Sequence, residues 1–77
     1  MSDQLLAVFS EGLEVPEDSL NNETSPENNE SWDSLAAMNL VSLIEETFDV
    51  RLSTREIMKM RTIGIVREIL RGKGIDV

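Results

Sequence analysis

The chain has 77 residues, a net charge of −8 and neither cysteine nor histidine. This composition excludes thiol nucleophiles, disulfide bridges, histidine-based catalytic triads and zinc sites with cysteine or histidine ligands. A chain of this length predicts one small domain over residues 1–77 with no large active-site cavity and no metal site, so an enzyme is the least favoured class.

A first helix is predicted near the N-terminus. Its apolar stripe has four residues at helical spacing: Leu5, Leu6, Phe9 and Leu13. Ser2 is the predicted N-cap and Gly12 the predicted C-terminal stop. Residues 14–31 then predict a long solvated loop, because they are rich in turn-forming and acidic residues, with Val15 and Leu20 as the only apolar anchors.

Residues 34–48 predict the longest helix. Its broad apolar face has seven members: Leu35, Met38, Leu40, Val41, Leu43, Ile44 and Phe48. Ser34 falls at the helix start, where Asp33 or Ser34 serves as the N-cap and the serine hydroxyl faces solvent. A phosphate ester there would lie beside free N–H groups and the positive end of the helix dipole. An ordinary cap is the alternative interpretation.

The chain contains a second copy of the same tripeptide, Asp18-Ser19-Leu20. Residues 21–26 follow it with a turn and loop composition and no helical apolar stripe. The copy at Ser19 is therefore predicted to be a decoy, and the copy at Ser34 the functional one.

Two further helices are predicted after residue 50. Ser53 and Glu56 have capping-box spacing, which indicates a short helix extending to Met60. Thr62 caps a last helix, which Gly72 ends. No alternating strand pattern is present, so the sequence predicts an all-α four-helix bundle with three longer helices, a short third helix and a long loop between the first two.

Charge is distributed unevenly along the chain. Residues 1–50 contain twelve acidic and no basic residues, a net −12, whereas residues 51–77 contain seven basic and three acidic residues, a net +4. An acidic surface around Ser34 is expected to attract basic patches on partner enzymes and to repel nucleic acid. Solubility is the alternative explanation. The first apolar run, residues 5–9, is too short to span a membrane, so no membrane span is predicted. A cytoplasmic location and a monomer are expected.

Several motifs follow one another in a fixed order from residue 33. They are Asp33-Ser34-Leu35, Met38, Leu40-Val41, Ile44-Glu45-Glu46, Phe48-Asp49-Val50, Ser53, Ile57, Met60-Arg61-Thr62-Ile63 and Ile69-Leu70. This order resembles the modification site and later helices of acyl carrier proteins over residues 2–71. The resemblance implies that a phosphopantetheinyl transferase attaches a 4′-phosphopantetheine arm to Ser34, and that acyl groups are held as a thioester on the arm's terminal thiol.

The resemblance also implies roles for residues around the arm. Asp33 is expected to engage the transferase by hydrogen bonds or charge. Leu35 and Met38 are expected to present an apolar patch beside the arm. Glu45 and Glu46 are expected to bind basic patches on acyl-loading and acyl-transfer enzymes.

Four positions depart from the pattern of many fatty-acid carriers. Ser31 and Trp32 replace a glycine and a small residue before the aspartate, and Ala36 and Asn39 replace residues that are often acidic. Trp-Asp-Ser-Leu is more similar to specialised carriers, encoded with dedicated biosynthetic enzymes for lipids or secondary metabolites. Acyl and aminoacyl cargo both remain open, and an unmodified acidic helical interaction module is the alternative function.

Two groups of apolar residues allow two interpretations. The methionines Met38, Met58 and Met60 are expected in the core, with an adaptable cleft for an acyl chain as the second interpretation. Trp32 either contacts the arm or a partner, or fastens the loop to the helix from just outside the cap.

Overall fold

The computed structural model describes residues 3–77, which form four α-helices and no strand. The helices are α1 (Gln4–Leu13), α2 (Ser34–Phe48), α3 (Thr54–Lys59) and α4 (Ile63–Gly72), and a 3₁₀ turn at Glu17–Ser19 interrupts the long α1–α2 loop. The predicted all-α class, the short third helix and the long loop are confirmed. None of these helices has the length and apolarity needed to cross a bilayer.

The start of α1 differs from the prediction. The predicted cap, Ser2, lies outside the described residues. Asp3 is the N-cap, and its Oδ1 accepts hydrogen bonds from the backbone N–H groups of Leu5 at 3.1 Å and Leu6 at 3.3 Å. Arg67 of α4 also donates two hydrogen bonds to the Asp3 carboxylate. Asp3 therefore caps α1 and also joins α1 to α4.

The end of α1 corrects the prediction that Gly12 stops the helix. The helix continues through Gly12 to Leu13, and Glu14 ends it in the left-handed conformation with φ 58°. Gly12 instead lies where α1 and α2 approach closely, because a Cβ added there would be 2.6 Å from Leu40 Cδ2. The glycine is needed for packing between the helices rather than for chain reversal.

One core joins all the longer helices. Its buried apolar residues are Leu5, Val8, Phe9, Leu13, Leu20, Trp32, Leu40, Ile44, Leu52, Ile63, Val66 and Leu70. Trp32 is only 3% exposed and packs edge-to-face on Phe9 of α1, with ring centroids 5.1 Å apart. The structure thus places Trp32 in the core, where it fastens the end of the long loop to α1.

The long loop is held against α4 rather than freely solvated. The backbone N–H of Ile63 donates to the Thr24 carbonyl at 3.1 Å, and that of Gly64 donates to the Asn22 carbonyl at 2.9 Å. Arg67 Nε donates to Asn22 Oδ1 at 3.0 Å. Thr24 itself is buried, so the loop has a polar anchor in addition to the two apolar anchors that the sequence indicated.

The caps of α3 and α4 are confirmed. The Ser53 N–H donates to Glu56 Oε1 at 2.9 Å, and the Glu56 N–H donates to Ser53 Oγ at 3.1 Å, which completes the capping box. Thr62 Oγ1 accepts from the Ile65 N–H at 3.1 Å. α4 ends at Gly72, as predicted. These short-range signals fix where the second half of the bundle begins and ends.

The expectation that all three methionines lie in the core is wrong for two of them. Met38 is 72% exposed on α2 and Met58 is 74% exposed on α3, whereas Met60 is half-buried against the core. α3 has only six residues and buries none of them fully, so its outer face stays open. The exposed methionines therefore belong to the surface near the α2–α3 side of the bundle.

Candidate functional site

Ser34 is the first residue of α2, and its side chain is exposed. The cap is the preceding residue, because Asp33 Oδ1 accepts from the Ala36 N–H at 2.9 Å and the Asp33 carbonyl accepts from the Ala37 N–H at 2.8 Å. Within residues 3–77 the Ser34 hydroxyl has no hydrogen-bond partner. Asp33 thus does the capping and leaves the serine oxygen available for chemistry.

The surroundings of Ser34 fit a phosphate ester. The backbone N–H groups of Ser34 and Leu35 have no acceptor among the described residues, as expected in the first turn of a helix. α2 has fifteen residues and no acidic residue in its first turn. The helix dipole and the free N–H groups therefore favour an anion on the serine oxygen.

The second copy of the tripeptide has a different environment. Ser19 lies in the three-residue 3₁₀ turn, and its hydroxyl donates a 2.7 Å hydrogen bond to the Pro16 carbonyl. That hydroxyl is already engaged by the turn, and no long helix follows it. The structure thus confirms the predicted difference in local structure: Ser34 begins a fifteen-residue helix, whereas Ser19 lies in a turn.

Leu35 and Met38, the residues expected to form an apolar patch beside the arm, both lie on the exposed surface of α2. Leu35 is 80% exposed and Met38 is 72% exposed. Met38 also lines a shallow apolar groove of about 350 Å³ between α2 and α3, together with Val41 and Ile57. An exposed apolar surface therefore begins beside the serine at Leu35 and continues one helical turn later at Met38.

The two glutamates near the end of α2 differ in environment. Glu46 is exposed, whereas Glu45 is half-buried and its Oε2 accepts from the Leu52 N–H at 2.8 Å. The Glu45 carbonyl also accepts from the N–H groups of Asp49 and Val50. Glu45 therefore holds the α2–α3 connection in place. No sequence signal indicated this role. The bond joins a side chain of α2 to a backbone N–H beyond the end of that helix, and no local pattern marks such a contact.

A second concave surface lies beside Ser34. It is a recess of about 270 Å³ lined by Pro26, Trp32, Asp33, Ser34, Ala37 and Met60. These residues come from the long loop, the start of α2 and the end of α3. The sequence did not indicate the recess, because only tertiary packing brings Pro26 and Met60 to the attachment region.

Two salt bridges among the described residues use basic side chains from α4 and its C-cap, Arg67 and Lys73. A hydrogen bond from Arg67 lowers the pKa of Asp3, and one from Lys73 lowers the pKa of Glu56. The distance from Arg67 Nη2 to Asp3 Oδ2 is 2.7 Å, and the distance from Lys73 Nζ to Glu56 Oε1 is 2.8 Å. Among the described residues, no group of three or more potential metal ligands is present. The pairs join helices to each other and do not involve Ser34.

The small helical bundle and the exposed serine at the start of its longest helix define a carrier domain, a class in which the protein holds a group for other enzymes. Residues 3–70 match the family model described as "Phosphopantetheine attachment site". The chain belongs to this family, so it is a phosphopantetheine-carrying protein and not a catalyst. Carriers of this kind are modified by phosphopantetheinyl transferases. The match favours the carrier over the unmodified interaction module.

Proposed function

We propose that Ser34 is the attachment residue, and that the chain carries acyl or aminoacyl groups for a specialised biosynthetic pathway. One observation carries the assignment of the residue. The Ser34 hydroxyl is exposed at the start of α2 and has no hydrogen-bond partner among residues 3–77, while the side chain of Asp33 caps the helix. Ser19, in the same tripeptide, donates its hydroxyl to a backbone carbonyl.

The proposed attachment is a phosphoryl transfer from coenzyme A to Ser34. The Ser34 oxygen attacks the pyrophosphate of coenzyme A, so that a serine–phosphate bond forms, the pyrophosphate P–O bond breaks and adenosine 3′,5′-bisphosphate leaves. The hydroxyl proton passes to a base of the transferase. The backbone N–H groups of Ser34 and Leu35, which have no acceptor among residues 3–77, would stabilise the phosphodiester anion. When bound, the arm supplies the thiol that holds cargo as a thioester.

Partner enzymes are proposed to bind the surface around Ser34 through charge and apolar contacts. Asp33 uses Oδ1 for its cap, which leaves Oδ2 for the transferase. Glu46 presents an exposed carboxylate to basic patches, and Glu45 contributes through the oxygen that does not bind Leu52. The twelve acidic residues before residue 51 support steering of basic partners, which salt would weaken.

The specialised pathway is supported by the departures around the serine. The first turn of α2 contains no acidic residue, because residue 36 is alanine, and Asn39 one turn later is exposed and neutral. Trp32 is fixed in the core and shapes the surface beside the serine. A partner that reads this surface meets fewer charges and more apolar area at the start of α2 than near its end.

Intact mass spectrometry tests the proposal. The protein, Ser34→Ala and Ser19→Ala are incubated with coenzyme A, magnesium and a broad-specificity phosphopantetheinyl transferase, and circular dichroism verifies that each is folded. The mass of one arm is expected on the wild type and on Ser19→Ala, and none on Ser34→Ala. Modification of Ser34→Ala would contradict the assignment. A folded wild type without mass gain would leave two explanations: a dedicated transferase that reads Trp32 and the loop differently, or the unmodified interaction module.

A further inference from the structure

The recess beside Ser34 combines a polar and an apolar side. Asp33 and Ser34 form its polar rim, and the rings and side chains of Pro26, Trp32 and Met60 form its apolar walls. The serine oxygen therefore lies on the boundary between a charged helix start and an apolar surface.

We propose that the recess binds the branched segment of the phosphopantetheine arm, in which a carbon with two methyl groups follows the CH₂ next to the phosphate. This inference rests on the attachment at Ser34 proposed above. The order of groups in the arm matches the order of surfaces at the site. The anion lies next to the helix start, and the two methyl groups are the first apolar atoms beyond it.

The walls of the recess are suited to holding a small apolar group. Only 3% of Trp32 is exposed, so it offers the recess a small edge, and its packing on Phe9 orders that edge before the arm arrives. Pro26 has a restricted backbone, and Met60 has an unbranched side chain that adapts to irregular shapes. Binding of the methyl groups therefore orders few side chains.

The attachment also explains why the arm is the expected occupant. A group tethered at the rim of the recess is present at a high effective concentration, so that even a weak contact is well populated. The neighbouring groove of Met38, Val41 and Ile57 shares only Ala37 with the recess and begins farther along α2. The arm's first apolar atoms reach the recess before they reach the groove.

Nuclear magnetic resonance on the loaded protein tests this inference. Protein labelled with ¹³C and ¹⁵N receives an unlabelled arm from coenzyme A, and the mass of the same sample verifies the loading. Isotope-filtered NOE spectra should show contacts from the two arm methyl groups to the Trp32 indole and the Met60 methyl. The indole ring should displace both methyl resonances from their positions in free coenzyme A.

The two ways of failing are distinguishable in this sample. A loaded protein whose arm methyl groups keep their free positions and show no NOE to Trp32 or Met60 would overturn the inference and leave the attachment intact. A sample without mass gain would overturn the attachment, and the inference with it.

Two methionine variants provide a matched control. Met60→Ala is expected to weaken the NOE to Trp32 and reduce the displacement of the arm methyl resonances, because it removes one wall of the recess. Met58→Ala is expected to change neither, since Met58 is 74% exposed and does not line the recess. Pro26→Ala removes an exposed wall without disturbing the core, so it serves if Met60→Ala fails to fold. Equal spectra for Met58→Ala and a folded wall variant would contradict the inference.

Discussion

Replacing Asp33 by asparagine and by alanine separates its structural role from its proposed role in modification. Asp33 Oδ1 accepts from the Ala36 N–H at 2.9 Å, which caps α2. Alanine loses this bond, and loss of an N-cap costs about 1 kcal/mol. That corresponds to a decrease in Tm of roughly 4–8 °C for a domain of this size. Asparagine caps about as well as aspartate, so Asp33→Asn should melt close to the wild type.

The modification rates of the same two variants test the charge of Asp33. A hydrogen bond to a charged group contributes about 1.5–3 kcal/mol to the free energy of an interaction. A difference of about 1.4 kcal/mol changes an affinity by a factor of ten. Asp33→Asn is therefore expected to lower kcat/KM for the transferase by about tenfold or more while keeping its stability. Thermal melts and mass-detected rates give the two quantities separately. An Asp33→Asn protein modified at the wild-type rate would refute the role in partner binding, and an Asp33→Ala protein as stable as Asp33→Asn would refute the cap.

Three further variants test the packing and the ion pairing of the bundle. Gly12→Ala is expected to lower the free energy of unfolding by about 1 kcal/mol, because overpacking against Leu40 outweighs the gain in helix propensity. Gly72→Ala should raise it by up to about 1 kcal/mol, since its Cβ would meet nothing within 4 Å. If urea unfolding showed Gly12→Ala to be more stable than Gly72→Ala, that result would contradict the close approach of α1 and α2. The hydrogen bond from Arg67 holds the pKa of Asp3 below its ordinary 3.8, so this pair stabilises the fold above that pH and stops doing so as the pH falls through the lowered pKa. Asp3→Asn should be about 1 kcal/mol less stable than the wild type at neutral pH, and the difference should disappear in acid. A difference independent of pH would exclude the titration of Asp3 as its cause.

The sequence predicted those parts of the fold that short-range interactions determine. The capping box of Ser53 and Glu56 and the Thr62 cap are decided within one turn of helix, and both were predicted correctly. The bounds of residues 34–48 were also predicted, because a polar loop adjoins an apolar helical stripe. The position of Ser34 at the helix start follows from the same local signal.

Tertiary contacts decided the features that the sequence did not predict. Gly12 carries a strong local signal for a helix end, but α1 continues past it. The close approach of α2 explains why a glycine occupies this position. Met38 and Met58 are apolar yet exposed, because neither helix face is covered. The bond of Glu45 to the chain seven residues later and the recess walled by Met60 depend on how the α2–α3 connection folds, which no local pattern encodes.

Locating the arm by mass spectrometry tests directly whether Ser34 is the attachment residue. The chain has no lysine or arginine before Arg51, so trypsin would leave Ser19 and Ser34 in one peptide. Cleavage after Glu30 and Glu45 instead separates the two serines, and fragmentation of the resulting peptide 31–45 locates the added mass. One arm is expected, on Ser34. An arm on any other residue, with Ser34 unmodified, would contradict it.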